Sequence, residues 1–406
     1  MKSTNIMKTY LKETVLRPAL CLLVATRLAT FSVAAEVTQL TPGHRAERVL
    51  VPTDSFQERH YLAFPALLDT GDEVLVSFKR GSAHGGDGGA VIDSLRLDKA
   101  SDRIVSFQVV AQLPGKIMQM GEWVRYPNGD IGSYIDAQQP TKPARIGMRG
   151  TRSTDGGRTF GPLETIGVID GVEYGYPFQF VTEGPTTWAL VMSFANLTGG
   201  YSVYPPRAEA GQVSIIRSED SGRTWHFVRD LSREFGGIPI NESSFVRFGD
   251  GFMVITRGYD NRARLHATDN DFKVRQQVDL THTYSFIASY VGRPRVFVRD
   301  GRLYLIGRNW TEEPKSVTGP LGKDGVPTFP PAMKLCLFRL DPATLSVNSY
   351  SILDNAENGN VTDAYYPVPY FREKDGQTYL RVIDYKGMDE KTPQILEFEY
   401  LWNEVR

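Results

Sequence analysis

The chain has 406 residues, 41% of them hydrophobic and 23% charged, as expected of a folded globular protein. Its 46 basic and 47 acidic side chains leave a formal net charge of -1, which removes any electrostatic case for nucleic acid or an anionic membrane surface as partner. With 38 glycines, 24 prolines, 21 Phe and 19 Tyr, the composition favours strands joined by tight turns.

The first element is not a strand. Lys2, Lys8, Lys12 and Arg17 precede the apolar stretch ALCLLVAT, and the segment closes on SVAAE. A basic start, a short apolar centre and small residues at Val33 and Ala35 describe a secretory signal peptide over residues 1–35. The run is too short to span a bilayer. The expected location is therefore secreted or periplasmic, with residues 36–406 as the mature chain. Cleavage would remove Cys21 and leave Cys336 alone, so no internal disulfide is expected.

From there one unit recurs six times: an apolar strand, a turn bearing Gly or Asp, and a second apolar strand. The units open with YLAFPALLDTGDEVLVSF from 61, MGEWVRYPNGDIGSYI from 120 and YPFQFVTEGPTTWALVMSF from 176. They continue with ESSFVRFGDGFMVITR from 242, RPRVFVRDGRLYLIGR from 293 and YYPVPYFREKDGQTYLRVID from 365. Two later turns are nearly identical, RSTDGGRTF at 152–160 and RSEDSGRTW at 217–225. Asp155 and Asp220 can accept backbone N–H bonds, Gly157 and Gly222 tolerate positive φ, and the aromatic that follows can plug the turn. ATDNDF at 267–272 reads as a decayed copy, and LDPATL at 340–345 replaces it in the fifth unit. AERVLVP at 46–52 is a spare strand that could complete the last unit and close a ring. Six radially packed four-stranded sheets make an all-β, six-bladed β-propeller as one domain, a design that protects strand edges by repetition.

The Asp-x-Gly-x-Thr turns resemble the Asp boxes of the sialidase superfamily, and the resemblance covers the mature chain. It implies a site at the mouth of the central channel, where a Tyr nucleophile is activated by a Glu, an Asp serves as acid/base, and three Arg clamp a substrate carboxylate. INESSFVRFGDGFMVITR is similar to the family stretch that supplies the Glu and one clamp Arg, which are here Glu242 and Arg257. Ala364-Tyr365-Tyr366 resembles the segment of the nucleophile and puts Tyr365 in its place. The loop RGSAHGGDGG carries Asp87 where the family keeps its acid/base. Two clamp positions differ: Ala63 stands at the first, and Met333, with Lys334 beside it, at the third.

Other side chains could rebuild the recognition group. Lys79, Arg80 and His84 lie close to Asp87 in sequence. Arg293 and Arg295 are two apart and share a face in a regular strand. Glu122 and Trp123 open the second unit, and Tyr174 and Tyr176 flank Gly175 before the third. Cations and aromatic faces suit an acidic sugar. The expectation is an exo-acting, retaining glycosidase for a glycan carrying an acidic sugar. Tyr365, Glu242 and Asp87 would be catalytic, and Arg257, His84, Arg80, Lys79, Arg293 and Lys334 would bind substrate. Two alternatives are a polysaccharide lyase, in which His84 or a Tyr removes the C5 proton of a uronate neutralised by Arg257, and a non-catalytic carbohydrate-binding propeller. No Cys/His cluster suggests a metal, and no cofactor is implied.

Overall fold

The computed structural model describes residues 37–406, except 142–144, 194–211, 261, 288–290, 310–332, 356–363 and 388–391; the expected signal peptide lies outside the described residues. The strands form six sheets, each built on four antiparallel neighbours, and together they make a six-bladed β-propeller.

Blade one comprises Tyr61–Asp69, Glu73–Gly81, Val91–Asp98 and Arg103–Ala111, counted outward from the channel. Blade two follows with Ile117–Arg125, Ile131–Gln138, Arg145–Ser153 and the short Glu164–Thr165. Blade three contains Val172–Glu183, Thr186–Ser193, Val213–Ser218 and His226–Asp230, with Val168–Ile169 added beside its first strand. Blade four contains Ile240–Phe248, Gly251–Gly258, Ala263–Thr268 and Val274–Asp279. In blade five, Arg295–Arg299, Arg302–Asn309, Lys334–Leu340 and Val347–Asn355 are joined at the outer edge by Thr38–Leu40, which runs parallel to its neighbour. Blade six has Val368–Lys374, Gln377–Lys386 and Gln394–Leu401, and its outer strand is the N-terminal Arg45–Val51. The spare strand of the sequence therefore closes the ring.

Each blade is covered on both faces, so its inner strands are buried almost throughout instead of alternating. Ile131–Gln138 is buried at every position, whereas the outer strand Arg103–Ala111 is mostly exposed. The apolar clusters consequently lie in the seams between blades. Burial at roughly 25 cal/mol per Å² of apolar surface makes these seams the main stabilising contribution.

The two repeated turns are built alike, on the outer side of blades two and three. Asp155 accepts the Arg158 and Thr159 N–H groups at 2.9 Å each, together with the Thr159 and Ser153 hydroxyls. Asp220 does the same with Arg223, Thr224 and Ser218. The turns at Asp269 and Asp341 keep a reduced version, each accepting two backbone N–H groups, with Phe272 and Leu345 buried beneath. A second local repeat escapes strand-level reading. DLSREF at 230–235 and DLTHTY at 279–284 both form four-residue helices capped by their own Asp, leading from one blade to the next.

Candidate active site

In every blade the first strand begins, and the second ends, at the same end of the channel. There the inner strands lose their regular pairing. The register shifts between Ala63 and Ala66, Met118 and Met120, Tyr174 and Tyr176, and Ile240 and Ser243. Such irregularities re-aim side chains that the pleat would otherwise send into a seam. Three residues at this end also have left-handed backbone without being glycine: Phe64 (φ 58), Arg293 (φ 43) and Tyr365 (φ 61). That conformation costs a residue with a Cβ about 1–2 kcal/mol, and strain of this kind gathers where side-chain placement matters.

Glu242 is the hub. Its Oε1 accepts the Tyr366 hydroxyl at 2.7 Å and the Tyr176 hydroxyl at 2.9 Å. Its Oε2 accepts Arg257 at 2.5 Å and the backbone N–H of Arg293 at 3.1 Å. Blades three, four, five and six thus meet on one carboxylate. Burial, reinforced by the Glu242 carboxylate, pushes the Tyr176 phenol well above its usual range, so it stays a donor. Its oxygen is also enclosed, 2.8 Å from Met120 Sδ. Tyr366 instead borders Phe64, at 5.4 Å between ring centroids, and carries the Arg308 guanidinium over its face at 5.2 Å.

A second carboxylate, Glu122 of blade two, binds both Arg293 and Arg295; the latter bond measures 2.5 Å. Burial lowers both guanidinium groups from their usual range, Arg295 to about 10; the Arg295 charge lowers Arg293 further, while Tyr176 and Glu242 partly restore Arg295. Blade two adds a buried pair, Asp136 with Arg145 at 3.2 Å, and Arg145 lies over the Tyr176 ring. Burial raises the Asp136 carboxyl against the opposing pull of Arg145.

Among the residues expected from sequence, Arg257, Glu242 and Arg293 converge. Tyr365 does not join them. Its hydroxyl donates to Asp354 Oδ2 at 2.6 Å, an oxygen that also accepts Lys386 at 2.7 Å. Tyr365, with φ 61 in the segment ahead of the strand Val368–Lys374, turns its ring into the seam between blades five and six, while its neighbour Tyr366 reaches Glu242. Asp87 is held within its own loop: Oδ1 accepts Lys79 Nζ at 2.9 Å and Oδ2 accepts the Ser82 N–H at 2.8 Å. Lys79 also binds the Ala83 and His84 carbonyls and Gln119, so its charge fastens the loop. Arg80 faces the other side of blade one, paired with Asp93 at 2.5 Å and lying over Phe56. Lys334 begins the third strand of blade five, one strand out from the hub's layer, where its charge bears on the buried Cys336 thiol. His84 is exposed at the rim, its Nδ1 3.2 Å from the Tyr61 hydroxyl and its ring edge-on to Phe64 at 5.0 Å.

Arg308 and Phe64 were not singled out from sequence. A signal for Arg308 existed, because it ends the fifth unit as Arg257 ends the fourth (YLIGR beside MVITR). Its Nε donates to the Ala364 carbonyl at 2.7 Å, which anchors the segment ahead of Tyr366. Phe64 gave no signal, since only the bulge and left-handed backbone turn it towards the channel. Among the described residues, no group of three or more His, Cys, Asp or Glu side chains forms a metal site.

No protein-family model and no curated protein matches this sequence. Solved structures do. A Dyadobacter fermentans protein of unknown function aligns with a TM-score of 0.62 at 13% identity, over 89% of this chain and 99% of its own. The phage phi92 endosialidase aligns at 0.60 and 9% identity, over 91% and 71%. The Trypanosoma rangeli sialidase aligns at 0.54 and 11% identity; 89% of this chain spans 60% of that longer protein. At these identities the likeness establishes the sialidase-like propeller fold.

Proposed function

We propose that this chain is an exo-acting, retaining glycoside hydrolase with Tyr366 as nucleophile, Glu242 as its base and an acidic sugar as substrate. The observation that carries the reading is the 2.7 Å hydrogen bond from the Tyr366 hydroxyl to Glu242, with Arg257 on the other oxygen of that carboxylate. A phenol is a weak nucleophile until a neighbour takes its proton. Glu242 Oε1 offers that acceptor, and the cationic Arg308 over the Tyr366 ring favours the phenolate that forms. Tyr nucleophiles are the known sialidase exception among glycosidases, which otherwise pair two carboxylates.

The charge balance supports an anionic sugar. Arg257 pairs with Glu242, Arg293 and Arg295 share Glu122, and Arg308 lies over the Tyr366 ring, so this end of the channel is rich in cations. Low-dielectric surroundings strengthen the attraction of such a site for a carboxylate or sulfate. The basic and apolar N-terminal sequence supports export, which would bring the protein to extracellular or periplasmic glycans.

The test is a screen of purified protein against 4-nitrophenyl glycosides of N-acetylneuraminic and glucuronic acid and against acidic polysaccharides, reading nitrophenolate, reducing ends and ultraviolet absorbance together. Y366F is expected to lose turnover by about a hundredfold or more. Y365F is expected to lower the melting temperature by removing the Asp354 hydrogen bond. Full activity in Y366F would reject the nucleophile. The exposed His84 beside Tyr61 favours a second reading, β-elimination from a uronate, and an unsaturated product would identify it.

A further inference from the structure

Resting on that reading, we propose that Arg293 is a positioning residue for the base: Glu122 holds its side chain so that its backbone N–H fixes Glu242. The spacing of Arg293 and Arg295 suggests substrate contact, but the Arg293 guanidinium is engaged inside the protein. It is 2% exposed and donates to Glu122 Oε1, to the Phe178 carbonyl at 3.4 Å and to the Tyr176 hydroxyl at 3.5 Å. Glu122 is itself 5% exposed, and the same oxygen accepts Arg295 at 2.5 Å. Opening so enclosed an ion pair to a sugar would leave charges buried and unpaired.

What Arg293 offers the site is its backbone. Its N–H donates to Glu242 Oε2 at 3.1 Å, beside the Arg257 guanidinium on the same oxygen. With Oε2 held by two donors the carboxylate plane is set, and Oε1 faces the phenols of Tyr366 and Tyr176. The N–H takes this direction from a left-handed backbone, φ 43, that a residue with a Cβ resists. Strain of this kind persists only where the surroundings over-determine it. Here they are Glu122 of blade two and the Phe178 carbonyl of blade three. Blade five stands opposite blade two in a ring of six, so the side chain reaches across the channel and keeps the corner ahead of Arg295–Arg299 turned.

Gly292 is the other half of that corner. A Cβ there would lie 3.0 Å from Arg308 Cζ, and its carbonyl accepts the Arg308 N–H at 3.4 Å. The corner thus touches both groups that attend Tyr366, Glu242 at its hydroxyl and Arg308 over its ring.

The experiment takes R293A, R293G, E122Q, the double variant E122Q/R293G and Y366F of the full chain, with 4-nitrophenyl glycosides of N-acetylneuraminic and glucuronic acid. Alanine and glycine delete the same guanidinium, but only glycine adopts a positive φ without steric cost. R293A is therefore expected to lose at least about tenfold more kcat than R293G, with the same KM in both. E122Q keeps an oxygen for Arg293 and removes the charge. It is expected to lower kcat about tenfold in the wild-type background and less than about threefold in R293G, because its effect passes through the Arg293 side chain. If R293A does not fold, the E122Q comparison decides alone. Equal kcat in R293A and R293G overturns the assignment, as does a KM raised alike in both with kcat kept, the mark of a substrate ligand. An E122Q loss of the same size in both backgrounds also overturns it, while inactive Y366F still supports the hydrolase. Turnover surviving in Y366F, or none by wild type on either glycoside, overturns the hydrolase reading and this assignment with it.

Discussion

His266 shows what a single buried residue contributes away from the site. It has no exposed surface, stacks on Phe235 at 3.7 Å and holds the Thr256 hydroxyl at 3.1 Å. Burial pushes its imidazole down to about 3, with the Arg264 charge adding to the effect. The folded state therefore keeps it neutral while the unfolded chain binds a proton near pH 6.5. The associated stability is fully present above that pH and is lost as pH falls towards about 3, at about 1.4 kcal/mol per pH unit. Urea denaturation should show a midpoint that drops between pH 7 and pH 5, and H266Q should flatten that dependence. The residue scale is also where sequence reading was weakest. Tyr365 and Tyr366 are chemically identical neighbours, yet their hydroxyls meet different carboxylates, Asp354 and Glu242.

The repeated turns carry the argument at the scale of the element. Asp155 and Asp220 each gather four donors, two from backbone and two from hydroxyls, whereas Asp269 and Asp341 accept two backbone N–H groups each. Replacing Asp by Ala should lower the melting temperature more at the first two positions than at the last two. The effects of D155A and D220A should couple instead of simply adding, because Arg152 of the first turn donates to the Ser221 carbonyl of the second at 2.5 Å. A larger drop for D269A or D341A would count against hydrogen bonding as the basis of the motif. The six inner hairpins were legible because each pairs two apolar runs across a recognisable turn. The four-residue helices at Leu231–Glu234 and Leu280–Thr283 were not, since one turn of helix leaves no periodicity to read.

For the whole molecule, closure is the decisive feature. Arg45–Val51 supplies the outer strand of blade six, and its arginines fasten the seams on either side. Arg45 pairs with Asp354 of blade five, while Arg48 joins Glu397 at 2.6 Å to the Asp102 carbonyl of blade one at 2.8 Å. Asp102 also collects Arg372 and Arg381 from blade six. Removing residues 1–52 should therefore expose the edge of Gln394–Leu401 and unlock the ring. Loss of a cooperative thermal transition with a gain in binding of a hydrophobic dye is the expected result; a melt within a few degrees of the full chain would show that the blades hold without it.

The sequence by itself determined the six blades and the closing strand, because these follow from local patterns of apolar runs, turn residues and spacing. Only the tertiary structure decided which tyrosine meets Glu242, that Asp87 is bound by Lys79, and that Arg308 and Phe64 border Tyr366. Those outcomes depend on bulges, left-handed residues and contacts between blades distant in the chain, and no local pattern encodes the direction in which such a side chain is finally sent.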